Sequence, residues 1–362
     1  ENKLRLNDIT RILSSKNLDV NFQDDYGNTS LIYAIESNQC EIIKVLLNNK
    51  SIDITRYNKL GMNALMCSID KICNLKYLFD YILENKDTNR DVIKNVITQK
   101  NINGDNSLLI SINKKYYEAV KLILSLGDDI CDINCVDSKG RTPLMLTILS
   151  DMDNVFDLLY SFKTLDINAQ DYEGYTAIMY SIENSGKYFN NKLVCDSTKK
   201  EDVCYSLLSN YTSTKISDEC VKYCIKLLDH PKIDFELCDF EGRPLIHFIN
   251  HLIEINATDS KNMVLNSLDK EYDFNMFELS STFSPFDCFD NNKKTNLLDW
   301  YYFIIGYITK KLNLDINVRD HKGNSILMKA CMNEDIRLFN ILIENEKLEI
   351  NDGDSIGESS LM

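Results

Sequence analysis

The sequence predicts an all-α protein, a solenoid of helix-turn-helix repeats joined by β-turn, hairpin-like loops, with two insertions. Three observations predict it. The 362 residues include only 12 Gly and 4 Pro, which leaves a chain that is mostly helical or built from very regular turns. One short turn pattern recurs eight times along the chain. Each turn is followed by apolar ladders at helical spacing, ending in a short extended piece.

The turn reads Asp or Asn, two residues, then Gly. Its copies are Asp24–Gly27, Asn58–Gly61, Asn101–Gly104, Asp137–Gly140, Asp171–Gly174, Asp239–Gly242, Asp320–Gly323 and Asp354–Gly357, and they use eight of the 12 glycines. Successive turn glycines lie 34, 43, 36, 34, 68, 81 and 34 residues apart. Gly suits a turn position of positive φ, and the preceding Asp or Asn can bond its own turn backbone. Thr29, Thr142, Thr176 and Ser325 then fall where a helix N-cap is expected. Pro143 falls at the first helical position, where the missing N–H is no loss.

A first helix follows each cap, carrying for example Leu31, Ala34 and Ile35, or Leu327, Ala330 and Cys331. A second ladder completes the unit: Ile42–Leu47 before Ile52-Asp53-Ile54, Val155–Leu159 before Leu165–Asn168, Ile225–Leu228 before Ile233-Asp234-Phe235, and Ile341–Ile343 before Leu348–Asn351. One such unit cannot bury its faces, whereas stacked neighbours can. The expected organisation is a single array over residues 1–362, with a partial repeat over 1–21, repeats starting near 24, 58, 101, 137, 171, 239 and 320, and a truncated one from 354.

These residues resemble the ankyrin repeat family. The resemblance rests on Gly140-Arg141-Thr142-Pro143-Leu144, on the Asp-x-x-Gly turns, and on the endings Asp132-Ile133-Asn134, Asp166-Ile167-Asn168 and Asp315-Ile316-Asn317. It covers nearly the whole chain. The chain departs from the family pattern in two respects: the family's His appears only as His247, and the Gly between the two helices is replaced, for instance by Asn38 and Asp151. The resemblance implies partner contacts at the turn tips and the last turn of each first helix. Carried onto this chain, the favoured contact residues are Tyr26, Leu60, Met62, Lys139, Arg141, Tyr172, Glu173, Tyr175, Phe240 and Arg243. Aromatic anchors with flanking charges are the usual composition of a protein-binding hot spot.

The two long intervals hold the insertions, about 186–217 and about 255–296. Both are expected to leave from the loop between the two helices of a repeat. The first is polar at its start, with a helix expected around Asp202–Leu208. The second carries Tyr272, Phe274, Phe277, Phe283, Phe286 and Phe289, which read as a self-packed cap on the helix bearing Trp300, Tyr301, Tyr302, Phe303 and Tyr307, in preference to a partner-binding arm. The smaller addition around Asp87–Thr98 reads as a longer connection after a second helix.

The balance of 40 Lys+Arg against 55 Asp+Glu, a net charge of −15, argues against a nucleic-acid partner, which calls for a basic stripe. No stretch reaches the roughly 18–20 apolar residues of a membrane helix, since the run Leu297–Leu312 is broken by Asp299, Lys310 and Lys311. The 12 cysteines lack the dense spacing of a secreted scaffold, which predicts a reducing, cytoplasmic setting. Matches to the glycosylation pattern at Asn28, Asn49, Asn210 and Asn256 are those that abundant Asn produces by chance. The chain opens on Glu1 and reads as part of something longer.

No phosphate loop, zinc-protease motif or nucleophile elbow is present, and no catalytic residue or cofactor is expected. One metal-like constellation, Cys220 and Cys224 with His247 and His251, places each pair one helical turn apart. Core cysteines and a hydrogen-bonded repeat histidine are the preferred reading, so no metal is expected. The expected function is a monomeric, non-catalytic scaffold or adaptor binding a protein partner on its turn tips and first helices. The alternative is the regulatory or targeting segment of a larger enzyme, channel or host-directed effector.

Overall fold

The computed structural model describes residues 19–86, 88–185, 222–261, 297–310 and 315–350. The packing divides into two compact units, with the boundary between Ala169 and Gln170. The described residues contain no strand. Isolated antiparallel bridges flank three turns, pairing Tyr57 with Asn63, Gln170 with Thr176 and Arg319 with Ser325.

In the first unit α1 (Ser30–Glu36) and α2 (Cys40–Leu47) form one antiparallel pair. Next come α3 (Ala64–Ser68), α4 (Ile72–Asn85) and α5 (Arg90–Thr98), then α6 (Ser107–Asn113) with α7 (Tyr117–Leu124), and α8 (Pro143–Ser150) with α9 (Asp153–Tyr160). The inner helices α1, α3, α6 and α8 pack in one row, and the outer helices α2, α4, α7 and α9 in a second. The second unit repeats this layering with α10 (177–185), α11 (222–228), α12 (Leu245–Lys261), α13 (Leu297–Lys310), α14 (Ile326–Met332) and α15 (Ile336–Ile343).

Short inner helices need strong starts, because a helix of two turns or less gains little from propagation. The hydroxyls of Thr29, Thr142 and Ser325 accept from the N–H of Ile32, Met145 and Met328 at 3.3–3.4 Å. Met145 and Met328 return the contact, their sulfurs accepting from the N–H of Thr142 and Ser325. Where the turn carries Asn, the cap is Asn as well: Asn63 and Asn106 accept from Met66 and Leu109 at 2.9 and 3.0 Å. Thr176 departs from expectation, since its buried hydroxyl has no hydrogen-bond partner.

In four repeats the link between inner and outer helix carries a left-handed residue, each time a non-glycine: Asn38 (φ 54°), Lys115 (φ 59°), Asp151 (φ 55°) and Glu334 (φ 54°), whereas the link from α3 to α4 has none. A side chain there costs about 1–2 kcal/mol relative to Gly, of which the greater freedom of unfolded Gly offsets about 0.4–1. Glu334→Gly is therefore expected to raise unfolding free energy by about 0.5–1 kcal/mol. A urea titration showing no gain would mean that the Glu334 side chain supplies a compensating contact.

The addition after α4 corrects the sequence expectation. It is not a longer connection: α5 is a third helix, whose Ile93, Val96 and Ile97 are buried at i, i+3, i+4 spacing. The outer helix α13 holds the expected aromatics in the core. Trp300 donates to the Ser185 hydroxyl at 2.7 Å, Tyr302 to Asp335 at 2.8 Å, and Tyr307 to Asp229. Both long intervals open between the inner and outer helix of a repeat, after α10 and after α12, but the expected start of the second near 255 is corrected, because residues 255–261 continue α12 to Lys261. The expected helix at 202–208 and the aromatics of 272–289 lie outside the described residues.

Adjacent repeats are joined by the Asn of the Asp-x-Asn endings. Asn21, Asn134 and Asn317 each donate to a carbonyl of the next repeat (Ser51, Thr164 and Lys347, 2.7–2.8 Å). Each also accepts an N–H from it (Asp53, Asp166 and Glu349, 2.8–2.9 Å). This amide does the same work as a backbone ladder pair between stacked units.

Candidate partner-binding site

Every described turn is built the same way. The side-chain oxygen of its first residue accepts two backbone N–H groups, two and four residues on: Asp24 from Tyr26 and Asn28, Asn58 from Leu60 and Met62, Asp171 from Glu173 and Tyr175, Asp239 from Glu241 and Arg243, all at 2.8–3.0 Å. Asn101, Asp137 and Asp320 repeat the geometry. Each turn Gly closes the loop by donating to the carbonyl of that same residue, for example Gly174 to Asp171 at 3.0 Å.

The second oxygen decides whether Asp or Asn is used. Each Asp has a donor for it: Tyr33 on Asp24 and Tyr180 on Asp171, both at 2.5 Å, and Arg141 on Asp137, Arg243 on Asp239 and Lys329 on Asp320. Where the turn uses Asn, the amide itself donates, Asn58 to Asn28 Oδ1 at 3.0 Å and Asn101 to the Met62 sulfur at 3.7 Å. The titration shifts follow. Burial works to raise the Asp137 carboxyl, but the Arg141 guanidinium and two backbone N–H groups outweigh it and hold it below the ordinary value. Asp320 is lowered in the same way against burial by the Lys329 ammonium. Asp24 is lowered mainly by the Tyr33 hydroxyl.

Neighbouring tips are bonded to each other through the main chain. The carbonyl of the third turn residue accepts the N–H of the second residue of the next turn: Tyr26 from Lys59 at 2.9 Å, Leu60 from Ile102 at 3.1 Å, and Glu173 from Phe240 at 2.7 Å. These bonds fix the tip backbones, so the side chains they carry are displayed at set positions rather than on free loops.

Of the expected contact residues, Tyr26 (71% exposed), Leu60 (56%), Tyr172 (71%) and Phe240 (83%) stand out from the surface, and Lys139 and Glu173 are exposed beside them. Ile102, 67% exposed, belongs with Leu60, to which its N–H is bonded through the carbonyl. Met62 is half-buried. The remaining three are held inside the tips. Tyr175 is half-buried against Tyr180 and Phe248, with ring centroids 5.3 Å apart in both pairs. Arg141 is half-buried, its Nη2 and Nε both on Asp137 Oδ2 at 2.7 and 2.8 Å. Arg243 is buried, its Nη2 and Nε on Asp239 Oδ2 at 2.6 and 2.7 Å, and its Nη1 in an ion-pair contact of 3.0 Å with Glu241. The position after the turn Gly holds a partner for the turn carboxylate in these two repeats, which a residue-by-residue carry-over does not reveal.

The four residues of the metal-like constellation are not seen together. Cys220 lies outside the described residues, and Cys224 is buried in α11. His247 is fully buried, and its Nε2 lies 2.8 Å from the Val318 carbonyl, which makes that nitrogen the protonated one. Burial holds its pKa below the ordinary value despite that carbonyl. His251 is half-buried, 3.9 Å from Glu254. Among the described residues no three metal-capable side chains converge. The described cysteines are free thiols, and burial pushes Cys67 and Cys135 up to about 12, so they act as small packing groups rather than nucleophiles. No helix among the described residues is long and apolar enough to cross a membrane.

Comparison with known proteins places this geometry. The family model for ankyrin repeats matches residues 3–92 and 108–204. A putative ankyrin repeat protein of fowlpox virus is 28% identical over 155 residues, 43% of this chain and 24% of that protein. Mouse Rabankyrin-5 is 46% identical over 50 residues, 14% of this chain and 4% of that protein. The matched part of this chain thus spans a quarter or less of these curated relatives. Among solved structures, the ankyrin repeat domain of Bcl-3 aligns with a TM-score of 0.49 and 17% identity, over 68% of this chain and 90% of that one. Ankyrin repeats are in general modules of protein–protein interaction.

Proposed function

The chain belongs to the ankyrin repeat family, and on that premise we propose that it is a non-catalytic scaffold or adaptor, recognising a partner protein through its turn tips and adjoining inner helices. The observation that carries the reading is the display of large apolar side chains on main-chain-bonded tips: Leu60 beside Ile102 in the first unit, and Tyr172 and Phe240 in the second. Single exposed apolar residues are ordinary, but exposed ones at fixed positions on consecutive tips make a pre-ordered contact strip that loses little entropy on binding. The net charge of −15 favours a protein over a nucleic-acid partner. We assign a monomer in a cytoplasmic setting, the setting being supported by the free thiols of the described residues.

The test is capture from an extract of the native organism, read by mass spectrometry, with the wild-type chain and a variant carrying Leu60→Ser, Ile102→Ser, Tyr172→Ser and Phe240→Ser. Because these side chains are exposed, the variant is expected to keep its circular dichroism spectrum and urea midpoint while its specific partners are lost. Retention of the same partners at wild-type yield would overturn the tip-row assignment.

A further inference from the structure

The two aromatic tips of the second unit are also the acidic ones. Their displayed carboxylates are Glu173 and Glu241, both exposed, while Asp171 and Asp239 are buried within the turns, and the one cation of the two tips is Arg243. That guanidinium is buried and committed to Asp239 and Glu241. The third tip of the same unit reverses the balance, with Asp320 paired to Lys329 and Lys322 in the turn itself. Tyr172 and Phe240 both occupy the second position of their turns, and Glu173 and Glu241 both occupy the third. The Glu173 carbonyl holds the Phe240 N–H at 2.7 Å, so the order of side chains along these two tips is aromatic, acid, aromatic, acid.

Resting on the tip-row reading above, we infer that this pair of tips selects an extended partner segment in which apolar side chains alternate with Lys or Arg. An apolar side chain seats on Tyr172 or Phe240, and the cation beside it meets Glu173 or Glu241. Like-charged segments are rejected by the same carboxylates, which is how a rim of charge confers specificity on an apolar anchor. Arg or Lys also gains from lying over the face of an exposed aromatic ring.

The probes are two fluorescein-labelled 12-residue peptides, one alternating Leu with Arg and the other Leu with Glu, titrated by anisotropy at 0.15 M salt. The basic peptide is expected to bind at least tenfold tighter than the acidic one. Its affinity should fall at least tenfold in Tyr172→Ser/Phe240→Ser, which leaves every charge in place, and likewise in Glu173→Gln/Glu241→Gln, which leaves both rings. Basic-peptide binding indifferent to the aromatic pair would be attraction to net charge alone and would overturn the inference, as would failure of both peptides to bind. Tip-dependent binding of the acidic peptide would overturn the charge class while leaving the tip row standing. The capture experiment judges the tip row irrespective of peptide charge, so the two failures are separable.

Discussion

Replacing Arg243 with Met is expected to lower unfolding free energy by about 3–5 kcal/mol, the range for removing one member of a buried ion pair. The Asp239 side chain is 1% exposed and that of Arg243 9%, so water cannot take over the freed carboxylate oxygen. The other Asp239 oxygen still receives the N–H groups of Glu241 and of residue 243, which makes the lost pairing at Oδ2 the main change. The readout is at hand: Trp300, the single tryptophan of the chain, is buried in the same unit, so its fluorescence in a urea titration follows unfolding there. Asp239→Asn added to Arg243→Met should recover most of the loss, because Asn58 and Asn101 already serve as turn residues with no cation on their side chains. A single variant within about 1 kcal/mol of wild type, the size of an exposed pair, would show that the carboxylate finds solvent. Arg141→Met should cost less, since the Arg141 side chain is 24% exposed.

That asymmetry marks what could and could not be read from the residues alone. The turn Asp or Asn, its Gly and the following cap are local: each bond spans two to four residues, so the spacing of Asp24, Gly27 and Thr29 already contains it. The donor to the second carboxylate oxygen is not at one spacing. It comes four residues on at Arg141 and Arg243, but nine on at Tyr33, Tyr180 and Lys329, from the inner helix. Arg243 therefore looked like a free contact residue when its guanidinium is buried. The helix α5 was hidden for a different reason: its buried Ile93, Val96 and Ile97 sit among Arg90, Asp91, Lys94 and Asn95, and a single apolar stripe of nine residues resembles a polar connection. The cross-repeat links of Asn21, Asn134 and Asn317 were visible as a recurring Asn, but their partners about 30 residues away become neighbours only once the repeats stack.

Stacking also makes Gly174→Ala the other large effect. At φ 77° an alanine carries the left-handed penalty of about 1–2 kcal/mol. A Cβ there would in addition lie 2.8–2.9 Å from the backbone of Asp239 and Phe240, atoms that cannot rotate away as a side chain can. Relief requires the two tips to separate, which breaks the Phe240 N–H bond to Glu173 and disturbs the Asp239–Arg243 pair at Oδ2. The expected cost is about 3 kcal/mol or more, the conformational penalty plus the lost inter-tip hydrogen bond and the strain of the backbone clash. Gly104→Ala is the control: its φ is 83°, yet the nearest backbone atom, Ser138 N, would be 3.3 Å from the new Cβ, so the cost should stay near 1–2 kcal/mol. Equal losses in the two variants would mean that torsion alone sets the price and that the tips do not press together. A Gly174→Ala loss well above that of Gly104→Ala would locate the rigidity of the second unit in the contact that also sets Phe240 beside Glu173, the pair on which partner selection is argued to depend.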